Sequence, residues 1–352
     1  MVTKVIKIDL NNIDEKKLLS AAEALKEGKI VAFPTETVYG LGANALDSSA
    51  VEQIFKAKGR PSDNPLIVHI ADKEKVCELA ESIPEKAAVL MDRLWPGPLT
   101  LVFKKSSIIP RIITAGLDTV AVRMPEHPVA RELIRLAAVP VAAPSANVSG
   151  RPSTTTARHV LQDLDGKIEI VVDAGSSRVG LESTVLDITV DPPVLLRPGG
   201  VTPAQIEDII GHIEIDKTIL GKVSMDNIPK CPGMKYKHYA PKAQVTLVKG
   251  KDIIRQVEKI CELAVDRRSK GKRVGICATD QTISYYKDYE SKSMGDRNRP
   301  ETIASSIFSL LREFDDMGVD VILAEAVDEN GVGLAIMNRM IKAAGYDIIQ
   351  AD

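Results

Sequence analysis

Cysteine is scarce and scattered. Cys77, Cys231, Cys261 and Cys277 stand far apart in 352 residues, with no Cys-x-x-Cys pair. That argues against a zinc site and a disulfide frame, and leaves the reduced thiols of a cytoplasmic protein as the expectation. The five histidines are dispersed too, and no two have the spacing of metal ligands. Aromatic residues make up 4% of the chain, few for a stacking platform that binds single-stranded nucleic acid. No apolar run approaches the length of a membrane span. The opening Met-Val-Thr-Lys-Val-Ile-Lys lacks the apolar core of a secretion signal. A net charge of −2 excludes a general basic field, so any anion site is local. Gly-x-x-x-x-Gly-Lys-[Ser/Thr] is absent, which sets aside an ordinary P-loop ATPase.

What is present is a globular composition, 44% hydrophobic and 27% charged, in a chain too long for one ordinary core. Residues 1–212 alternate helix and strand with some strands consecutive, which predicts a mixed, twisted sheet with helices on its faces. Strands are expected at Lys4–Leu10, Lys29–Phe33, Leu66–Ile70, Leu99–Phe103, Thr119–Met124, Val139–Ala143, Ile168–Asp173, Ser183–Ile188 and Val194–Arg197. Residues 213–242 lack periodicity and read as a linker or lid. From 243 to 352 strands alternate with amphipathic helices, as in a small parallel, Rossmann-like sheet. No Gly-x-Gly-x-x-Gly occurs in that part, so a dinucleotide role has no support there.

Several stretches carry chemistry. Lys56–Pro65 places Lys58 and Arg60 two residues apart around Gly59, with Ser62 and Asn64 following. In an extended segment the two cations share one side and form an anion clamp; the alternative is a solvated basic loop. Pro34-Thr35-Glu36-Thr37-Val38-Tyr39-Gly40-Leu41-Gly42 ends a buried strand with hydroxyls, a carboxylate and glycines, as site loops do. Arg123 lies inside the apolar run Val120–Met124, so it must be paired or face a ligand. Ser145-Ala146-Asn147 follows a buried strand and reads either as a site edge or as a turn. His69 on its strand is a core histidine or a ligand contact. Pro232–Pro241, with two tyrosines, a histidine and two lysines, reads as a lid over an anionic ligand rather than a plain tether.

Taken together, Pro34-Thr-Glu-Thr-Val-Tyr-Gly-Leu, Lys58-Gly-Arg60, Ser145-Ala-Asn147, Glu182-Ser-Thr-Val, Arg197-Pro-Gly and Pro-Gly-Met-Lys-Tyr-Lys-His-Tyr-Ala-Pro resemble the motifs of the threonylcarbamoyl-AMP synthases. The resemblance is to the long form, which joins a YrdC-like domain with a concave site to a smaller C-terminal domain. It implies formation of threonylcarbamoyl-adenylate and pyrophosphate from L-threonine, bicarbonate and ATP. The product would feed a partner transferase that modifies tRNA, with at most weak RNA contact by this chain and no membrane. By resemblance Lys58 and Arg60 are catalytic. ATP would meet them together with Ser62, Thr119, Ser145, Asn147, Ser153, Arg197 and Tyr236. Threonine would meet Thr35, His69, Arg123, Ala143 (through its backbone) and Ser183. Glu36 and Glu182 read as groups that orient a cation or a loop rather than as an acid/base pair. Magnesium is expected on the triphosphate, held by phosphate and water, because no carboxylate cage is visible. Two rivals remain. An RNA-binding module of the same fold is disfavoured by charge and aromatic content. A carbamoyl-transfer maturation factor would carry zinc-finger cysteines that this chain lacks.

Overall fold

A computed structural model of the chain describes residues 2–219, 221, 231 and 238–351. It divides into two compact units, Met1–Ser149 with Ser153–Lys235, and Gly150–Pro152 with Tyr236–Asp352.

The first unit is built on one 11-stranded sheet. Its strands in chain order are β1 (Lys4–Lys7), β2 (Val31–Phe33), β3 (Gly40–Asn44), β4 (Ile67–His69), β5 (Leu99–Lys104), β6 (Thr119–Arg123), β7 (Val141–Ala142), β8 (Ile170–Asp173), β9 (Thr184–Asp187), β10 (Val194–Arg197) and β11 (Glu214–Ile215). Across the sheet they run β1-β8-β2-β3-β7-β4-β6-β5-β9-β10-β11. Parallel pairs (β4 with β6, β5 with β9) alternate with antiparallel ones (β2 with β3, β4 with β7, β5 with β6), so the sheet is mixed as expected.

Local chemistry explains the flanking helices. Helix Glu15–Lys26 begins where the Asp14 side chain accepts the Lys16 and Lys17 N–H groups. Its Leu18, Ala21, Ala22 and Leu25 recur at helical spacing and pack with Val129, Leu133, Ile134 and Ala137 of helix Pro128–Ala137 over Phe33 and Val172. Helix Ser48–Lys58 is capped by Asp47 and stopped by Gly59 in the left-handed conformation, φ 60°. Between β4 and β5, a 3-10 turn at Lys73–Lys75 runs into the one-turn helix Val76–Leu79.

The strand β3 was expected as loop. Its glycines are there for packing: a Cβ on Gly42 would lie 2.7 Å from the Phe33 ring and 2.8 Å from Val141. Gly199 is tighter still. A Cβ there would meet the backbone of Thr184, Ser183 and Glu182 at 2.2–2.5 Å. The Arg197-Pro198-Gly199 turn can lie against Glu182–Thr184 only because that position has no side chain.

The second unit has five parallel strands, β12 (Gln244–Lys249), β13 (Val274–Ala278), β14 (Glu290–Ser293), β15 (Val321–Glu325) and β16 (Ile348–Gln350), in the order β14-β13-β15-β12-β16. Helices Ile253–Ser269, Pro300–Met317 and Val332–Ala343 connect them. Nucleotides bind such sheets in the crevice beyond the strand ends. Here the ends of β12 and β15 are bridged by Gln256, whose amide donates to the Val248 and Ala326 carbonyls at 2.7 and 3.1 Å. Beside it, fully buried Glu325 accepts from Tyr286, Thr279 and Arg297 at 2.8–2.9 Å. Burial and the Glu325 charge push the Tyr286 phenol well above its ordinary value.

Gly199→Ala is expected to lower stability by about 3 kcal/mol or more, because its Cβ would meet backbone rather than a movable side chain. Gly59→Ala, with open space around the Cβ, is expected to cost only about 1–2 kcal/mol for the left-handed backbone. Denaturant midpoints check the ranking; equal losses would overturn it.

Candidate functional site

The site begins with a charged residue that the sheet cannot leave bare. Arg123 ends β6 and is 3% exposed. Its Nη2 donates to Glu36 Oε1 at 2.6 Å, its Nη1 to Thr37 Oγ1 at 2.8 Å and its Nε to the Gly97 carbonyl at 3.2 Å. Three of its five N–H groups are thus engaged, and two remain for a ligand. Glu36 follows β2, and β3, β7 and β4 lie between β2 and β6 in the sheet. The loop after β2 therefore crosses the sheet to reach Arg123. Thr35 shapes that crossing: its hydroxyl donates to the Val38 carbonyl at 2.6 Å and accepts the Thr37 and Val38 N–H groups at 3.2 Å.

Electrostatics follow from this burial. Desolvation would raise the Glu36 carboxyl, but the charge and hydrogen bond of Arg123 hold it below its ordinary value. Its Oε2 has no hydrogen-bond partner among the described residues. His69 stands opposite Arg123 in the β4–β6 register and packs edge-on against Phe33, ring centroids 6.4 Å apart. Burial first, and the Arg123 charge second, bring its pKa down to about 3, so the imidazole is neutral. Its Nδ1 is buried without a hydrogen bond among the described residues, a deficit of about 1–3 kcal/mol that a bound polar group would relieve. Burial also lowers His127, a residue not singled out from sequence.

A second group forms around Lys58. Buried at the end of its helix, its ammonium donates to the Ser145 carbonyl and, at 2.6 Å, to the Asn147 carbonyl. Ser145 Oγ donates to Asn147 Oδ1 at 2.5 Å, and the Asn147 amide to the Val148 carbonyl at 2.8 Å. These bonds within the stretch fit its reading as a turn. Ser145 bridges Gly40, so this loop lies beside the one that carries Thr35 and Glu36. Ala143 sits between them, its N–H on the Ile67 carbonyl at 3.0 Å.

A third group joins Ser183, Arg197, Ser153 and Glu182. Arg197 Nε donates to the Ser183 carbonyl at 3.0 Å and its Nη2 to Ser183 Oγ at 3.1 Å. Ser153 Oγ donates to Glu182 Oε1. The Thr184 N–H bonds the Pro98 carbonyl at 2.9 Å, next to the Gly97 carbonyl that holds Arg123. The Val179 N–H bonds the Glu36 carbonyl at 2.7 Å. Backbone links therefore run through all three groups.

The proposed clamp geometry needs correcting. Lys58 is the last helical residue and Gly59 is left-handed, so the Lys58–Arg60 segment is not extended. Lys58 turns to Ser145 and Asn147, while Arg60 donates to the Asn64 and Pro65 carbonyls of its own loop at 3.3 and 3.1 Å. Ser62 is exposed on that loop. Thr119 is half-buried at the opposite end of β6 from Arg123, about 13 Å along the strand. Tyr236 lies outside the described residues, as does most of the lid stretch. Sequence reasoning assigned nothing to Thr37, Gly97 or Thr100. Only the hydroxyl of Thr100 within an apolar strand was a visible signal. No group of three or more His, Cys, Asp or Glu among the described residues is placed to hold a metal. No helix there is long and apolar enough to cross a membrane.

His69 ties stability to pH. Its folded pKa lies below the unfolded value near 6.5, so the unfolded chain binds more protons between the two, and stability falls as pH drops through that window. From pH 6.5 to 5 this group is expected to remove about 1–2 kcal/mol. His69→Gln should flatten that limb in denaturant titrations; parallel wild-type and variant curves would contradict a neutral, buried imidazole.

Comparison with known proteins places this architecture. Residues 23–199 match the family described as Telomere recombination (Sua5_yciO_yrdC), and residues 201–345 match Threonylcarbamoyl-AMP synthase, C-terminal domain. Over 339 residues the chain is 56% identical to a threonylcarbamoyl-AMP synthase of Pyrococcus abyssi, covering 96% of this chain and 97% of the relative. It is 50% identical to one of Bacillus subtilis, covering 96% and 95%. A crystal structure of P. abyssi Sua5 complexed with L-threonine superposes with a TM-score of 0.94 at 52% identity, over 99% of this chain and 100% of that one. Both domains, in one order and at full length, are accounted for: the chain belongs to the threonylcarbamoyl-AMP synthase family.

Proposed function

We propose that this chain makes threonylcarbamoyl-adenylate and pyrophosphate from L-threonine, bicarbonate and ATP, as a nucleotidyltransferase. The observation that carries the reading is the buried Arg123 guanidinium, with two N–H groups unspent beside neutral His69. A planar fork of that kind suits an amino-acid carboxylate. The relative crystallised with L-threonine supports it. Thr35, His69, Arg123, Ser183 and the Ala143 backbone would hold threonine. Lys58, Arg60, Ser145, Asn147, Ser153 and Arg197 would hold ATP, with Ser62, Thr119 and Tyr236 as neighbours.

The chemistry follows. The threonine amine captures bicarbonate with loss of water, giving an N-carboxylate. One oxygen of that carboxylate attacks the α-phosphate of ATP, and pyrophosphate leaves. Charge grows on the phosphate oxygens, so positioned cations matter more than a strong base. Lys58 and Arg60 supply them. Backbone carbonyls help to aim both, those of Ser145 and Asn147 for Lys58, those of Asn64 and Pro65 for Arg60. Alignment of carboxylate and phosphate contributes up to about 7–11 kcal/mol in ideal cases. Magnesium would arrive on the triphosphate as part of the substrate. The adenylate would pass to a transferase that modifies tRNA.

L-threonine and bicarbonate together are expected to trigger pyrophosphate release from ATP without RNA. Arg60→Ala should slow that release by about 10²–10³-fold, the loss of one charged transition-state contact. Near-normal turnover in the variant would remove Arg60 from the chemistry. No threonine-dependent release in the wild type would refute the reaction.

A further inference from the structure

Thr100 lies in β5 between Leu99 and Leu101, and all three are fully buried. Its hydroxyl is 2.7 Å from Ser183 Oγ and makes no other hydrogen bond among the described residues. Either oxygen of this pair can donate, and the surroundings decide which does. Ser183 Oγ has two lone pairs and one proton. Arg197 Nη2, which can only donate, takes one lone pair at 3.1 Å. If Ser183 donated to Thr100, the Thr100 proton would stay buried with no acceptor. If Thr100 donates instead, both lone pairs of Ser183 are filled and its own proton is free to point elsewhere. Once an anionic acceptor enters the site, only the second arrangement leaves no donor unmade.

We propose that Thr100 is a positioning residue for amino-acid recognition. With Arg197 it fills both lone pairs of Ser183 Oγ and so presents the Ser183 proton to the carboxylate of the substrate. Ser183 therefore acts as a donor only, selecting an acceptor and rejecting a second donor at that point. The backbone holds the hydroxyl in register. The Ser183 carbonyl accepts Arg197 Nε, the Thr184 N–H is bound to Pro98, and the Thr184 hydroxyl donates to the Val201 carbonyl at 2.6 Å. Ser183 consequently has little freedom to recover if Thr100 is lost. This inference rests on the reading in which Ser183 contacts threonine.

The test is calorimetric titration of the full chain with L-threonine, and separately with ATP. Thr100→Val removes the donor at nearly constant volume and is expected to weaken threonine binding 5–30-fold while ATP binding stays within twofold. Thr100→Ser restores the hydroxyl and is expected to bind threonine within twofold of wild type. A Thr100→Val variant that binds threonine like wild type, or loses threonine and ATP alike, overturns the proposal, as does a Thr100→Ser variant that fails to rescue. Should Thr100→Val not fold, Thr100→Cys keeps a weaker donor and is expected to fall between wild type and a tenfold loss; wild-type affinity there also overturns it. A wild-type chain that binds no L-threonine would instead refute the functional reading itself.

Discussion

The contact between Glu36 and Arg123 governs the first unit. Both partners are almost fully buried, 4% exposed at the side chain, and 2.6 Å apart. Two charges taken out of water cost several kcal/mol each unless they meet in good geometry with further hydrogen bonds. The structure supplies that geometry with Thr37 and the Gly97 carbonyl. To do so it sends the loop after β2, which carries Thr35, across β3, β7 and β4. The same pair sets local charge. Arg123 keeps Glu36 ionised and, second to burial, helps to keep neighbouring His69 neutral. Loop course, protonation and the direction of the spare guanidinium donors thus stem from one buried interaction.

Most of the architecture was readable because periodicity and capping are local. Asp14 before Glu15–Lys26, Thr156 before Ala157–Leu164 and Thr202-Pro203 before helix Pro203–Ile210 all announce themselves by residue type, the last with a complete capping box. Strand β10 was expected at Val194–Arg197 and is found there. What was not readable depends on tertiary packing. Strand β3 looks like a glycine-rich loop until the Phe33 ring is seen to occupy the space beside Gly42. The two-residue β11 and the last strand β16 are paired by partners distant in sequence and carry no alternation of their own.

The site divides along the same line. Arg123 was legible because a charge inside an apolar run must be answered. Glu36 was legible as its kind of partner. The Lys58–Arg60 geometry was misread because alternation of side chains assumes extended backbone, and Gly59 at φ 60° breaks it. Thr100 escaped notice, and Thr37 was read only as one hydroxyl of a site loop, for a different reason. Each acts through another side chain, and a hydroxyl that acts through another side chain leaves no spacing pattern in the chain.

Arg123 and the Lys58–Arg60 pair are oriented by different groups, and the difference suits the proposed reaction. Arg123 faces a carboxylate, so its charge is answered before any ligand arrives; what it offers is direction, two N–H groups in a fixed plane. Backbone carbonyls help to aim Lys58 and Arg60, those of Ser145 and Asn147 for the first and of Asn64 and Pro65 for the second. A zwitterionic amino acid carries little net charge and is best told apart by geometry. A triphosphate carries several negative charges and is best drawn by charge.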